Sequence, residues 1–252
     1  MHVMAINGSP RKEKSNTYRI LGSLLEGMGA AGATTEVVHL GHLQINPCLG
    51  CFLCWVKTPG KCVQKDDMAG VLEKFVRADL LIFGTPLYKF NVSGLMKNFL
   101  DRTLPALEPW IVEDPHNPGR SSHPKRYPRD QAILLVSPCG FPEFDHFTPL
   151  VQYFQFYAQS AGWQYLGEIL RPAAESLSQE QDQEMFVWYY NLLRQAGEQL
   201  IRQRQISPEV QAGLRQDLLP GGPEAFRDRA NREWLETMSK FGVTGKPPRQ
   251  TG

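Results

Sequence analysis

The sequence predicts an α/β fold, a doubly wound, five-stranded parallel sheet with a helical C-terminal extension. Three observations lead there. Short apolar runs alternate with stretches whose apolar residues recur at helical spacing, the pattern of successive βαβ units. The later runs, such as Leu80-Leu81-Ile82-Phe83, are apolar on both faces, as strands covered by helices above and below must be. The chain has 252 residues, 42% of them hydrophobic, enough to bury one full core with appendages.

Each element follows from its residues. Residues 2–6 form a short apolar strand and 7–15 a turn-rich loop. From Asn16, the residues Ile20, Leu21, Leu24, Leu25 and Met28 mark a helix with Ser15 as N-cap. Residues 34–40 are a second strand, and 44–65 a loop holding four cysteines and a Pro59-Gly60 turn. Asp66 is placed to cap a helix carrying Met68, Val71, Leu72, Phe75 and Val76. Residues 79–84 are a third strand, 85–92 a loop, and a helix starts at Gly94. Five prolines between 108 and 129 mark an inserted loop. Residues 132–136 and 163–170 are the last two strands; between them Asp145 is placed to cap a helix that runs to Ala161, with Gly162 at its end. Ser178-x-x-Gln181 reads as a capping box opening a helix to about residue 205. Residues 206–252 are polar and broken by prolines and glycines, with one amphipathic helix at about 224–240, and form an extension that reaches toward another subunit. Residues 1–205 make up the main domain. In a doubly wound sheet the ligand loops lie beyond the carboxyl ends of the strands, here 7–15, 43–65, 85–93 and 138–144.

Composition excludes several classes. A formal charge of +1 exerts no global pull on nucleic acid or anionic membrane. No apolar run reaches the length of a membrane span, and the amino terminus lacks a signal-peptide layout. Five cysteines, an odd number and mostly in one cluster, do not resemble a secreted disulfide framework. A cytoplasmic, reducing location is the expectation.

Two motifs carry chemistry. Asn7-Gly8-Ser9-Pro10-Arg11 leads into Ser15-Asn16-Thr17 at a helix start, where exposed amides and the helix dipole bind an anion. Neither G-x-x-x-x-G-K-[ST] nor G-x-G-x-x-G is present, which argues against an ATP loop and weakens a dinucleotide site. Read as residues alone, the same stretch also suits an ordinary βα turn. The second motif is Cys48-x2-Cys51-x2-Cys54-x7-Cys62. Three thiolates at x2 spacing are how a short loop grips an iron–sulfur cluster; zinc, a redox disulfide and a loop of free thiols are the alternatives. Cys139 stands apart, as a small apolar contact. His116 and His123, with Arg120, Lys125, Arg126 and Arg129 in the insert, read either as a basic lid over the ligand site or as a solvated loop. The aromatics of 153–157 and 186–190 read as core or subunit contact.

Taken in order, Gly8-Ser9-Pro10-Arg11 with Ser15-Asn16-Thr17, the cysteine loop ending in Lys65-Asp66-Asp67-Met68, Gly84-Thr85-Pro86-Leu87-Tyr88, Lys97 with Asp101-Arg102, and Cys139-Gly140-Phe141-Pro142-Glu143 resemble the flavodoxin-like NAD(P)H-dependent FMN reductases. Within them the chain is most similar to the iron–sulfur flavoprotein branch. The resemblance covers about residues 1–200 and implies strand order 2-1-3-4-5, bound FMN, hydride uptake from NAD(P)H, and homodimers or homotetramers. It implies that Ser9, Arg11, Ser15, Asn16 and Thr17 hold the FMN phosphate. Thr85, Pro86, Leu87, Tyr88, Phe90 and Asn91 would line the isoalloxazine, with Cys139, Gly140 and Phe141 at its other edge. Cys48, Cys51, Cys54 and Cys62 would hold a 4Fe-4S cluster, although the seven residues between the last two exceed the branch's spacing. Electrons would pass to a quinone, flavin or other small acceptor. The rival is a non-enzymatic electron carrier or redox sensor docking a protein partner.

Overall fold

The computed structural model describes residues 1–178, 184–218 and 221–245. Its strands are β1 (His2–Asn7), β2 (Thr34–His39), β3 (Leu80–Gly84), β4 (Val112–Glu113), β5 (Ser121–Ser122), β6 (Ala132–Pro138) and β7 (Gln164–Arg171). Five of them form one parallel sheet in the order β2-β1-β3-β6-β7. β4 and β5 pair only with each other, as an antiparallel ribbon inside the Pro-rich insert. The sheet strands alone thus run 2-1-3-4-5, the flavodoxin-like order. Asn7 lies level with His39 and Gly84, and Gly84 with Val136, so the carboxyl ends finish along one edge.

The helices are α1 (Asn16–Ala30), α2 (Leu53–Val56), α3 (Met68–Arg77), α4 (Gly94–Asp101), α5 (Thr148–Ala161), α6 (Val187–Gln203), α7 (Pro208–Leu214) and α8 (Gly222–Lys240). Alternation along each strand divides the core in two. Val3, Ala5, Leu80, Ile82, Leu134 and Val136 pack against α1, α6 and α7. Met4, Ile6, Leu81, Phe83, Ile133 and Leu135 pack against α3, α4 and α5. On the first face α1 and α6 touch backbone to backbone. A methyl group at Gly27 would stand 1.9 Å from the Arg194 carbonyl oxygen, and one at Gly197 2.1 Å from that of Leu24, so only glycine fits at either position. Ile206, Val210, Leu214 and Leu218 join this same core, whereas no residue of α8 is buried. Among the described residues no helix is long and apolar enough to cross a membrane.

Some local expectations shift. Ser15 does cap α1, its hydroxyl accepting from the Tyr18 amide. Asp66 accepts the Met68 amide, but its carboxylate mainly pairs with Arg102, and Asp67 occupies the cap position. Asp145 caps nothing: it lies in a 3-10 turn (Asp145–Phe147) ahead of α5. The last long helix of the main domain opens at Val187; the Gln181 half of the expected capping box lies outside the described residues. Phe154, Phe186 and Tyr189 are core, while Phe156 is exposed.

Candidate functional site

The β1–α1 loop is built around its own polar side chains. Asn7 accepts the Ser9 amide and donates to the Lys12 carbonyl; Ser15 donates to that same carbonyl at 2.6 Å. Ser9, Ser15, Asn16 and Thr17 are all buried at the head of α1. Among the described residues, the Asn16 and Thr17 amides have no hydrogen-bond acceptor, as expected for a first helical turn, and the Asn16 Oδ1 is buried without a donor. Arg11 reaches across to Glu175, donating from both terminal nitrogens at 3.3 and 3.0 Å, and the Asn16 Nδ2 joins the same carboxylate at 3.3 Å. The hydrogen bonds it donates to Glu175, offset in part by burial, raise the Arg11 guanidinium above its ordinary value. Sequence reasoning missed Glu175, which no local motif marks and which lies 164 residues from Arg11.

The β3 loop is braced against this one. Ser93 caps α4 and donates to the Gly8 carbonyl at 2.6 Å, Thr85 accepts the Ser93 amide, and the Gly8 amide bonds the Gly84 carbonyl. Thr85 and Leu87 donate back to Val136 and Pro138 of β6. Tyr88 and Asn91 exchange amide–carbonyl bonds around Lys89 and Phe90, both at positive φ (49° and 63°). That geometry is strained for non-glycine residues and is concentrated at functional sites. It turns Tyr88 and Phe90 outward, along with Asn91, while Thr85 and Pro86 stay buried.

The β6 loop closes the third side. Cys139 is buried, its sulfur accepting the Phe141 amide, and burial pushes its thiol up. Its main chain is held by Arg171 and Ala174. Gly140 and Phe141 are exposed. His146 stands edge-on to both Phe90 and Phe141, at 5.6 and 5.2 Å between ring centres, and so joins the two loops. All fourteen residues expected at this site therefore lie on three adjoining strand-end loops and the first turn of α1.

The cysteine loop lies against the C-terminal end of α4. Cys48, Cys51, Cys54 and Cys62 line one narrow cavity of about 20 Å³ together with Arg102, Leu104 and Pro105. Cys48 and Cys51 are exposed and Cys54 is buried; all are free thiols. Burial, then the neighbouring Cys62, Cys51 and Cys48, push the Cys54 thiol up. Under the loop Arg102 donates to both Asp66 oxygens at 2.7 and 2.9 Å and to the Asn46 carbonyl at 2.7 Å. Among the described residues its Nε is buried with no hydrogen-bond partner. Arg102 is thus a structural cation held in a buried ion pair. The donors match an iron–sulfur cluster in kind and number. The cavity as folded holds little more than a water molecule, and among the described residues no three ligand-type side chains stand in a metal-holding arrangement.

The Pro-rich insert is largely exposed and does not cover these loops. It packs at the opposite edge of the sheet, where Asn117 donates to the Gln159 carbonyl, Lys125 stands over the Trp163 ring and Arg129 pairs with Asp79. The topology requires this, because α4 descends from the site edge and β6 starts from the far one.

The profile of the family described as NADPH-dependent FMN reductase matches residues 1–112. Over these residues, less than half of its length, the chain is similar to that family. The chain is also similar to an iron-sulfur flavoprotein of Archaeoglobus fulgidus, 43% identical over 103 residues, which are 41% of this chain and 49% of that protein. Another iron-sulfur flavoprotein, of Methanocaldococcus jannaschii, is 39% identical over 105 residues, 42% of this chain and 53% of that protein. The chain thus spans about half the length of the curated relatives it matches. An FMN-dependent NADH-azoreductase of Bacillus anthracis, solved in complex with FMN, superposes with a TM-score of 0.58 at 16% identity, over 80% of this chain and 100% of that one. The NAD(P)H:quinone oxidoreductase of Methanothermobacter marburgensis gives 0.57 at 17% identity, over 79% and 98%. These structures share the fold of this chain.

Proposed function

We propose that the chain is an FMN-dependent oxidoreductase that takes electrons from NAD(P)H and passes them to a quinone, free flavin or other small acceptor. One observation carries this reading: three cross-braced strand-end loops join unsatisfied helix-start amides to a rim of outward aromatics. A phosphate suits the Asn16 and Thr17 amides, with Arg11 adding charge. The buried Asn16 oxygen is an acceptor that a ribityl hydroxyl would satisfy. Phosphate would take the place Glu175 holds between Arg11 and Asn16, so the two side chains already adopt an anion-binding pose. Thr85, Pro86 and Leu87, pinned to β6, offer a rigid edge to the flavin ring, and Tyr88, Phe90 and Phe141 offer apolar cover. These three are 46%, 48% and 58% exposed, more than a lone chain gains by leaving bare, and a second copy of the chain suits as their cover. FMN, once bound, supplies hydride acceptance and onward electron release; the protein supplies orientation and keeps water from the ring. No side chain needs to act as acid or base.

In the finer reading, residues 1–205 carry the FMN site and 206–252 are an extension, and the chain works in a reducing cytoplasm. Cys48, Cys51, Cys54 and Cys62 would be the ligands of a 4Fe-4S cluster. Anaerobic purification followed by a visible spectrum and by iron and acid-labile sulfide assays tests both groups. Flavin bands without iron would remove the cluster; colourless protein that fails to take up FMN would remove the whole reading. Ser15→Asp keeps a capping oxygen at α1 but places a negative charge against the phosphate, so FMN affinity should fall by about tenfold or more. Unchanged affinity would clear that loop of the role.

An electron carrier that docks a protein at the cysteine loop is favoured by one feature, the exposure of Leu49, Phe52 and Val56 around the thiols. Sustained NAD(P)H oxidation by the pure protein with a quinone would count against it.

A further inference from the structure

We propose that the cavity under the Pro-rich insert is a second ligand site, separate from the FMN loops, and that it takes a flat organic anion. It encloses about 690 Å³, well within the range of small-molecule sites. Its walls include Phe156 and Tyr157 of α5, Trp163 before β7, and residues 112–131 of the insert. Gln131 and Trp163 precede β6 and β7, so the cavity sits a full strand length away from Gly8, Gly84 and Cys139.

Charge sets the ligand class. The Lys125 ammonium stands 5.5 Å from the centre of the Trp163 ring, and the Arg120 guanidinium 5.7 Å from that of Phe156. Among the described residues neither cation forms an ion pair. The acids nearby are engaged elsewhere. Asp114 accepts from the His116 amide and the Asn117 side chain, and Asp79 is paired with Arg129. Asp130 attracts Lys125 from beyond ion-pair distance, and burial still lowers the ammonium below its ordinary value. Two cations over aromatic walls, one of them poorly solvated, are complementary to a carboxylate or sulfonate carried on a planar ring. A neutral aromatic would leave Lys125 desolvated and unpaired.

The site adjoins the cysteine loop. Leu104 and Pro105 wall the thiol cavity, and the next residues, Ala106 and Leu107, wall this one. Trp55 of α2 donates to the Leu104 carbonyl and lies 4.8 Å from the His123 ring of the insert. A ligand here would therefore bear on the thiol loop through a single peptide segment.

Equilibrium dialysis of the purified protein against 2-naphthalenesulfonate tests the inference, with uncharged 2-naphthamide as the control. The expected result is saturable binding of one sulfonate per chain that excess FMN does not displace, and about tenfold weaker binding of the amide. Lys125→Gln and Arg120→Gln should each weaken the sulfonate several-fold while leaving the flavin content of the preparation unchanged. Displacement by FMN, equal affinity for the amide, or no saturable binding into the millimolar range would each overturn it. The probe comparison on the unaltered protein decides the matter even if a variant fails to fold, and its outcome is independent of the FMN reading.

Discussion

Arg102 and Asp66 are each 1% exposed, and the cysteine loop rests on their ion pair. Removing one partner of such a pair strands the other charge in the interior, a loss of about 3–5 kcal/mol. Arg102→Met should therefore lower the unfolding free energy in urea by about that much; a change under about 1 kcal/mol would show the pair to be solvated in practice. Burial alone would raise the Asp66 carboxyl, but hydrogen bonds from Arg102 and from the Asn46 and Met68 amides outweigh it and hold it below the ordinary 3.8. A carboxyl depressed by folding stabilises fully above its unfolded value and loses that contribution as pH falls through its folded one. The stability gap between the unaltered protein and Asp66→Asn should stay flat from neutrality to about pH 4 and close only below it. Ser15 as N-cap was legible because its signal is local. Asp66 with Arg102, and Arg11 with Glu175, join residues 36 and 164 apart, and no spacing rule links them.

At the scale of elements, the strands were legible almost to the residue, because period-two burial and short apolar runs leave little freedom of assignment. The crossing of α1 and α6 was not. Gly27 and Gly197 sit in helical stretches where glycine is merely unfavourable, and only the docked helices show why a side chain is excluded. Gly197→Ala gains helix propensity yet must push a methyl into the Leu24 carbonyl. The expected net outcome is a destabilisation of about 3 kcal/mol, read as a shift of the urea midpoint. A neutral or stabilising result would mean that the two helices can slide apart cheaply. The turn at Lys89–Phe90 was likewise hidden, since its left-handed residues are not glycine or asparagine and nothing short-range asks for the geometry.

Across the whole molecule, the two edges of the sheet differ: strand-end loops with the proposed FMN site at one, the insert and its cavity at the other. The carboxyl-terminal segment divides in the same spirit. Ile206, Val210, Leu214 and Leu218 are buried, and full burial of such side chains contributes about 1.5–3 kcal/mol each, comparable in sum to the stability of an entire domain. α8 buries nothing, though Arg227 reaches Glu143 on the β6 loop at 3.3 Å. A chain truncated after Leu218 should keep its urea midpoint and its FMN affinity, while one truncated after Gln205 should lose cooperative unfolding. Similar behaviour of the two truncations would contradict the packing described for α7.

Sequence by itself determined the alternating strands and helices and the loops that meet at the carboxyl edge, since hydrophobic period, turn residues and helix caps act over a few positions; the strand order and the fourteen side chains came from the resemblance to a family. Tertiary structure alone decided that Glu175 faces Arg11, that Arg102 lies beneath four thiols, and that the insert encloses a cavity at the far edge. Those outcomes depend on which distant groups come within a few ångströms once the layers pack, and burial then sets how strongly they act on one another.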